Sequence, residues 1–216
     1  MGAVITPTAR PPTSRQLAKE QTRRRLLDAA LEILDTDGEA GLTTTRVARL
    51  AGVKQPTFYV HFTDMDDLLV DLVGQLWARR RSLTRETRET VRDHGSTQDA
   101  MREVFRTNVE ALVAHPAVLR LVVRSRLDLG SPLGDYVRAE TAITLENLTT
   151  TLAAGGFPYG TPAEQRRLHM QAEGLVALIE TLALSHMENR YEDLDEVLDV
   201  LVQFFHTLAP TTDPAS

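Results

Sequence analysis

Two short helices joined by a sharp turn, predicted between Thr43 and Phe62, constrain the fold of this chain most. A threonine at the start of the stretch, Thr43 or Thr44, offers an oxygen that can cap an unpaired backbone amide of the first helix. Gly52 suits the left-handed backbone that ends a helix. Pro56 suits the first turn of the next helix, where its missing N–H costs nothing. The stretch therefore predicts a helix-turn-helix.

The spacing of small and apolar residues predicts how these two helices pack. Ala48 and Gly52 lie four residues apart, at positions where a second helix is expected to come close. Phe58 and Phe62 repeat at the same spacing, so both rings are expected to face the first helix. The side chains then left pointing outward from the second helix are polar, namely Gln55, Thr57, Tyr59 and His61.

This outward face has the size and chemistry of a surface that reads DNA. A helix of about two turns fits the major groove. Glutamine can pair with adenine through two hydrogen bonds, a threonine methyl can touch thymine, and Tyr, His or Lys side chains suit phosphates. An ordinary helical hairpin with a solvated polar face shows the same spacing, so the pattern alone leaves both interpretations open.

From Gln21 to Val73 the chain resembles the DNA-binding domain of TetR-family transcriptional regulators. The resemblance is carried by TRRRLLDAALEIL, DGEAGLTTTRVARLAGV, QPTFYVHF and the DDLL that follows. It implies an all-α protein with an N-terminal three-helix DNA-binding domain, a helical body that binds ligand and dimerises, and about nine helices. It also implies DNA contacts from Thr44, Thr45, Gln55, Pro56, Thr57, Tyr59 and His61.

One position departs from the family pattern. The family often has a lysine that binds phosphate where this chain has Met65, and a thioether cannot make that contact. Arg46, Lys54 or the basic N-terminal arm is expected to supply it instead.

The distribution of charge agrees with a DNA-binding head on an acidic body. The whole chain has a net charge of −6, which alone would argue against a nucleic-acid partner. Residues 1–64, however, hold nine Lys and Arg against seven Asp and Glu, whereas residues 65–216 hold fifteen against twenty-three. The cationic end is also the end with the helix-turn-helix, as expected of a domain that meets phosphates.

The order of helices and breaks predicts four segments. Residues 1–13 are expected to form a disordered basic tail, 14–64 the helix-turn-helix domain, 65–209 the ligand-binding and dimerisation domain, and 210–216 a second disordered tail. The run Arg79–Arg81 is interpreted as a solvated helix face, because it lies about three turns beyond the predicted start of its helix.

The body is expected to bind a small hydrophobic effector, because its helices are apolar on more than a narrow stripe. A solid core would explain the same residues. The segment HPAVLRLVVRSR, followed by DYVRAE, is similar to TetR-family repressors of unsaturated fatty-acid synthesis. That similarity implies a fatty acid or acyl thioester, with Arg120, Arg124 or Arg126 meeting a carboxylate or phosphate. The predicted ligand-binding residues are Trp77, Phe105, Val109, Leu121, Arg124 and Tyr136.

A homodimer is predicted through the last two helices. Their apolar residues recur in steps of three and four, which is typical of a seam between helices, and a single recognition helix would hold DNA weakly. The alternative is that both helices close the core of a monomer. The predicted interface residues are Leu168, Leu175, Ile179, Leu182, Leu198, Leu201 and Phe205.

No motif of an enzyme or a metal site is evident, so no catalytic residue, cofactor or metal is predicted. His169 and Glu173 could share a helix face but lack a further ligand nearby, and Glu180 and His186 suit either a buried seam or a pocket. No apolar run approaches the roughly 20 residues that span a bilayer, and a cytoplasmic regulator bound to double-stranded operator DNA is expected. The rival interpretations are a helical protein-interaction adaptor and a small-molecule-binding protein without a role on DNA.

Overall fold

The computed structural model describes residues 13–94 and 98–208. Within those ranges the regular structure consists of nine α-helices and one 3-10 turn, without a strand, and the all-α prediction is confirmed. The chain divides into two compact units, Met1–Leu68 and Leu69–Ser216. Both predicted tails lie outside the described residues, apart from Thr13 at the end of the first. Residues 95–97, between the fourth and fifth helices, lie outside them as well.

The first unit is built from three complete helices and the first residues of a fourth. Helix α1 spans Ser14–Asp37, the 3-10 turn spans Glu39–Gly41, α2 spans Thr44–Leu50, α3 spans Gln55–His61, and α4 begins at Met65. The buried side of α1, which includes Leu26, Leu27, Ile33 and Leu34, is the apolar stripe expected of a helix that covers a small core.

The turn between α2 and α3 has the local chemistry that the sequence predicts. Thr43 caps α2 by accepting a hydrogen bond from the Arg46 amide at 3.2 Å. Gly52 has φ +69°, a conformation that glycine adopts without strain. A Cβ atom at Gly52 would meet only the end of the Arg25 side chain, at 4.0 Å, so no helix approaches Gly52 as closely as predicted, whereas Ala48 is 1 % exposed and does pack.

The second unit contains the rest of α4 and five further helices. Helix α4 ends at His94, α5 spans Gln98–Val113, α6 spans Pro116–Ser125, α7 spans Pro132–Ala154, α8 spans Pro162–Met187 and α9 spans Leu194–Leu208. Proline starts α6, α7 and α8. Serine or threonine caps the last two, with a capping box at Thr161 and Glu164. The first backbone N–H groups of a helix have no partner inside it. At these starts the proline lacks such an N–H, and the serine or threonine side chain accepts a hydrogen bond from another.

The apolar faces of α8 and α9 close the core of a single subunit. Leu168 lies in a cluster with Leu145 and Leu152 of α7. A second cluster joins α5, α8 and α9 around Phe105, and the Phe205 ring packs between Phe105 and Phe157 at centroid distances of 6.1 and 5.9 Å.

This packing corrects the interface prediction. Leu168, Leu175, Ile179, Leu198 and Leu201 are at most 6 % exposed within one chain, so they cannot present their side chains to a partner. Leu182 and Phe205 are half-buried against the same core. The repeat of three and four residues on α8 is therefore a core stripe. The opposite side of that helix, with Met170, Gly174 and Ala177, is exposed.

No helix within the described residues is both long enough and apolar enough to cross a lipid bilayer.

Candidate nucleic-acid interface and effector cleft

Helix α3 lies on two buried aromatic rings, Phe58 and Phe62, which are 0 % and 1 % exposed. Their spacing of four residues turns one side of the helix inward and leaves the other in solvent. The exposed side carries Gln55 and Tyr59, as predicted, and also Pro56, while Lys54 is exposed just before the helix begins. Four polar or cationic side chains, those of Thr44, Lys54, Gln55 and Tyr59, thus lie close together at the start of α2 and at the start and outer side of α3.

Thr44 at the start of α2 connects that helix with α3. Its hydroxyl accepts a hydrogen bond from the Gln55 side-chain amide at 3.1 Å, and the Tyr59 hydroxyl lies 3.5 Å from the same oxygen. These contacts fix the direction of two side chains that would otherwise rotate freely in solvent. Thr45, next in the chain, is exposed.

Arg46, a candidate for the missing phosphate contact, is engaged within the head. Its guanidinium forms an ion pair with Asp37 at the end of α1, and both side chains are about two-fifths exposed. In this conformation one of its guanidinium N–H groups is bound to Asp37. Lys54 is exposed and stands at the N-terminal end of α3, where a phosphate is favoured.

His61 and Thr57 differ from the predicted outward orientation, because both are half-buried. The Nδ1 atom of His61 is buried without a hydrogen-bond partner, and its backbone carbonyl accepts a hydrogen bond from Arg23 at 2.8 Å. Burial, with the nearby cations Lys19 and Arg23, lowers the pKa of the His61 imidazole, and Glu20 opposes the shift. The side chain thus lies toward α1 rather than fully in solvent.

Val60 was missed by the sequence analysis. It is 66 % exposed on the same arc as Gln55, Pro56 and Tyr59. Its i, i+4 spacing from Pro56 is the sequence signal that places it on this face. An exposed valine methyl on a recognition helix can contact a thymine methyl.

The second unit contains a small cleft between α4, α5, α6 and α8. Its volume is about 50 Å³. Apolar side chains form most of the wall, with Trp77 on one side and Leu112 and Val122 on others. Three polar or charged side chains also line it, namely Arg80, His115 and Glu180.

Glu180 lines the charged end of the cleft and forms an ion pair with Arg126. It is 5 % exposed, and the Nη2 atom of Arg126 lies 2.9 and 2.8 Å from its two carboxylate oxygens. Burial lowers the pKa of Arg80; the positive charge of Arg126 adds to this, and the negative charge of Glu180 opposes it. The charges of Arg80, Arg126 and Glu180 therefore interact electrostatically at the edge of an apolar cleft.

One of the six predicted ligand residues, Trp77, lines this cleft. Phe105, Val109 and Leu121 are at most 2 % exposed and lie in the core, whereas Arg124 is exposed on α6. Tyr136 lies behind the cleft wall, with its ring edge-on to Trp77 at a centroid distance of 6.5 Å.

The tyrosine hydroxyl also occupies the space next to Gly74, where a Cβ atom would come within 2.7 Å of it. Of the run interpreted as solvated, Arg79 is exposed and Arg81 pairs with Glu140, but Arg80 lines the cleft.

A metal centre finds no support in the part of the chain that the structure describes, because no group of three His, Cys, Asp or Glu side chains converges there. His169 and Glu173 are both exposed on α8. The Nδ1 atom of His186 lies 2.7 Å from the Tyr191 carbonyl oxygen and thus has a local partner.

The comparisons with known proteins concern both the head and the whole chain. Residues 26–72 match the family model described as bacterial regulatory proteins, tetR family. A relative from Haemophilus influenzae, described as an uncharacterized HTH-type transcriptional regulator, is 27 % identical over 203 residues. That alignment covers 94 % of this chain and 95 % of the relative.

Two solved structures share the fold over nearly the full length. The fatty acid degradation regulator FadR from Bacillus halodurans has a TM-score of 0.64 at 15 % identity, over 88 % of this chain and 96 % of that one. FadR from Thermus thermophilus, a TetR-family transcriptional repressor solved in complex with lauroyl-CoA, has a TM-score of 0.60 at 22 % identity. It covers 90 % of this chain and 98 % of its own.

Proposed function

We propose that this chain, whose residues 26–72 match the model of the TetR family of bacterial transcriptional regulators, is a homodimeric repressor that binds a palindromic operator and responds to a small apolar effector. The observation that carries the DNA half is the exposed arc of α3, anchored by Phe58 and oriented through Thr44. Its side chains have the chemistry of base and phosphate contacts. Catalysis has no part in this proposal, and the site of action is the cytoplasm, where operator DNA lies.

Each residue of the arc has a proposed role on double-stranded DNA. Gln55 reads an adenine edge, and the methyl groups of Thr57 and Val60 touch thymine. Tyr59 and Lys54 bind phosphates, so Lys54 replaces the contact that Met65 cannot make. Thr44, Thr45 and Pro56 flank this surface, and Arg46 joins it when the ion pair with Asp37 opens.

Dimerisation is proposed through the outer faces of α8 and α9, in place of the core residues that the sequence indicated. Met170 and Val200 are 64 % and 45 % exposed within one chain. Gly174 has open space where a side chain would project, so a partner helix can come close there. A two-fold axis through this face would place the same residues on both subunits and bring two recognition helices to one operator.

The effector is proposed to bind in the cleft beside Trp77, and its class to be a fatty acid or an acyl thioester. The complex of Thermus thermophilus FadR with lauroyl-CoA supports this class, because the two proteins share a fold. Effector binding would shift the population of dimers toward a conformation in which the two heads no longer fit the operator.

A gel shift with operator DNA tests the DNA half. Gln55→Ala and Tyr59→Ala are expected to weaken binding by roughly tenfold or more each, since a good base or phosphate contact contributes about 1–3 kcal/mol. Tyr191→Ala, at an exposed tyrosine of the second unit, is the matched control. Folded arc variants that bind as tightly as the control would refute the proposed interface.

A further inference from the structure

The connection between α6 and α7, residues 126–131, presents two leucines to solvent. Leu127 and Leu129 are each 82 % exposed, more than any other large apolar side chain that the structure describes. A single exposed leucine is ordinary on a protein surface. Two of them within six residues form an apolar patch, here called the leucine loop, and such a patch is typical of a contact with another molecule.

Hydrogen bonds to the backbone hold the leucine loop in one conformation. The Nη1 atom of Arg138 on α7 donates to the carbonyl oxygens of Arg126 and Asp128, at 3.2 and 3.0 Å. The Leu127 and Asp128 amides donate to the carbonyl oxygens three residues earlier, at 3.1 and 3.0 Å. The loop cannot turn both leucines inward without breaking bonds of this kind. The fold of one subunit therefore holds the two side chains in solvent.

The leucine loop lies next to the C-terminal half of α8. Arg126, the first residue of the loop, forms an ion pair with Glu180 on α8, and the Nη2 atom lies 2.8 Å from a carboxylate oxygen. Thr181 follows Glu180 in the chain and is exposed, and Ala177, one turn earlier, is exposed as well. The loop thus adjoins the outer side of α8, which is the face through which dimerisation is proposed.

The outer faces of α8 and α9 expose little apolar area by themselves. Met170 and Val200 are the large apolar side chains that these two helices expose, and the exposed Gly174 and Ala177 between them are small. A stable dimer buries about 800 Å² on each subunit, and the buried core of a homodimer interface is roughly two-thirds apolar. The two helices therefore need further apolar area beside them, and the leucine loop supplies it.

We infer that Leu127 and Leu129 dock on the outer faces of α8 and α9 of a second copy of this chain. The inference rests on the dimer of the proposed function and adds to it a contact outside the two helices. In a two-fold dimer each subunit gives one leucine loop and receives one, so the contact occurs twice. A second copy is the occupant because the loop adjoins a face that itself needs a partner and lacks apolar area.

The first test measures the dissociation constant of the full-length dimer by sedimentation velocity. A protein with both Leu127→Ser and Leu129→Ser is expected to dissociate with a constant roughly a hundredfold or more above that of wild type, because burial of one leucine changes an equilibrium constant by about tenfold or more. Methionine at both positions keeps the apolar area and is expected to keep the dimer. Ile143→Ser, at an exposed apolar residue of α7, is the matched control and is expected to behave as wild type.

The second test identifies what the leucine loop touches. The chain has no cysteine, so Leu129→Cys gives a single thiol that can be labelled with a benzophenone maleimide and cross-linked by light. Dimers assembled from isotopically light and heavy subunits separate cross-links between subunits from those within one subunit. Mass spectrometry is expected to place the cross-links between subunits on peptides of α8 or α9. The same label on Ile143→Cys is expected to give none there.

A doubly substituted serine protein that is folded by circular dichroism and dimerises as tightly as wild type would overturn the inference and leave the dimer of the proposed function intact. The inference would also fail if a wild-type dimer gave no cross-link between subunits from position 129, or cross-links only to helices other than α8 and α9, as when the loop serves a different protein. A wild-type chain that is a monomer at micromolar concentration would overturn both the inference and the proposed dimer.

Discussion

The side-chain amide of Gln55 donates a hydrogen bond to the Thr44 hydroxyl at 3.1 Å, which joins the first residue of α3 to the first residue of α2. The two residues lie eleven positions apart in the sequence and meet because the turn at Gly52 reverses the chain. The bond holds the Gln55 amide in one orientation in the free protein, so in the proposed complex with DNA less side-chain entropy would be lost on binding.

Removal of this bond is expected to weaken DNA binding without unfolding the head. Thr44→Ala should raise the operator Kd by roughly three- to tenfold, since a hydrogen bond of this kind contributes about 0.5–1.5 kcal/mol. Thr44→Ser keeps the hydroxyl and should stay close to wild type. Fluorescence anisotropy with a labelled operator measures both, and a Thr44→Ala protein that binds like Thr44→Ser would contradict the role of the bond.

Release of Arg46 from Asp37 is expected to strengthen DNA binding. Asp37→Asn removes the partner of the guanidinium, which can then reach a phosphate and add about one unit to the slope of log affinity against log salt. The unfolding free energy should change by less than about 1 kcal/mol, because exposed ion pairs contribute little. Asp35→Asn, an exposed position two residues away, removes the same charge without freeing Arg46. Identical salt slopes for the two variants would rule out the effect.

The half-buried imidazole of His61 predicts a pH dependence of head stability. Its pKa in the folded protein lies below the ordinary value of 6.5, so the unfolded chain takes up the proton first as pH falls. The contribution to stability is complete above the unfolded pKa and is lost as pH falls below it. Urea unfolding at about pH 7.5 and about pH 5.5 should show a smaller acid-induced loss for His61→Gln than for wild type. Equal losses in the two proteins would show that this histidine is not responsible.

Removal of Arg126 from the Arg126–Glu180 ion pair is expected to lower the free energy of unfolding. Arg126→Met leaves the buried carboxylate without its partner and should destabilise the second unit by about 2–3 kcal/mol, at the low end because Arg126 is partly exposed. Glu180→Gln should cost less, since the amide oxygen can still accept from Arg126. Arg120→Met, an exposed position on the same helix, serves as the control. If denaturant unfolding shows that Arg120→Met lowers the unfolding free energy as much as Arg126→Met does, the proposed role of the ion pair is contradicted.

The outer faces of α8 and α9 can be tested by introducing a charge where the subunit itself tolerates one. Val200→Glu is expected to convert a dimer to a folded monomer at micromolar concentration, because the carboxylate would be buried between two subunits. Ile143→Glu introduces the same charge at an exposed apolar residue of α7 and should leave the dimer intact. Light scattering after size exclusion gives both masses. A Val200→Glu protein that remains a dimer would show that the interface does not include this face of α9.

The local features of the fold were predictable because short-range chemistry determines them. The cap at Thr43, the positive φ at Gly52 and the prolines that start α6, α7 and α8 each follow from one residue and its neighbours. The buried pair Phe58 and Phe62 follows from helical spacing alone. These signals predicted the helix-turn-helix, whereas its interpretation as a DNA-binding head came from the family resemblance, and Val60 of the exposed arc was missed.

What covers an apolar face could not be predicted in the same way. The repeat on α8 gives the side that is buried, but the same repeat is compatible with an intramolecular core and with a dimer seam. Leu175 and Ile179 were therefore assigned to the wrong surface. Pairing across the chain has no local signal either, since Arg126 and Glu180 are 54 residues apart. Arg80 could not be distinguished from Arg79 and Arg81, because consecutive residues of a helix point in directions about 100° apart. The sequence does not show which of the three directions faces the cleft.

Selection of bound duplexes from a random DNA library, at two salt concentrations and with the mass of the complex recorded by light scattering, tests the central claim most directly. The account predicts one enriched palindrome, bound by a dimer, with affinity that falls as salt rises because phosphate contacts release counterions. A protein that enriches no sequence, or that binds one without dependence on salt, would contradict it.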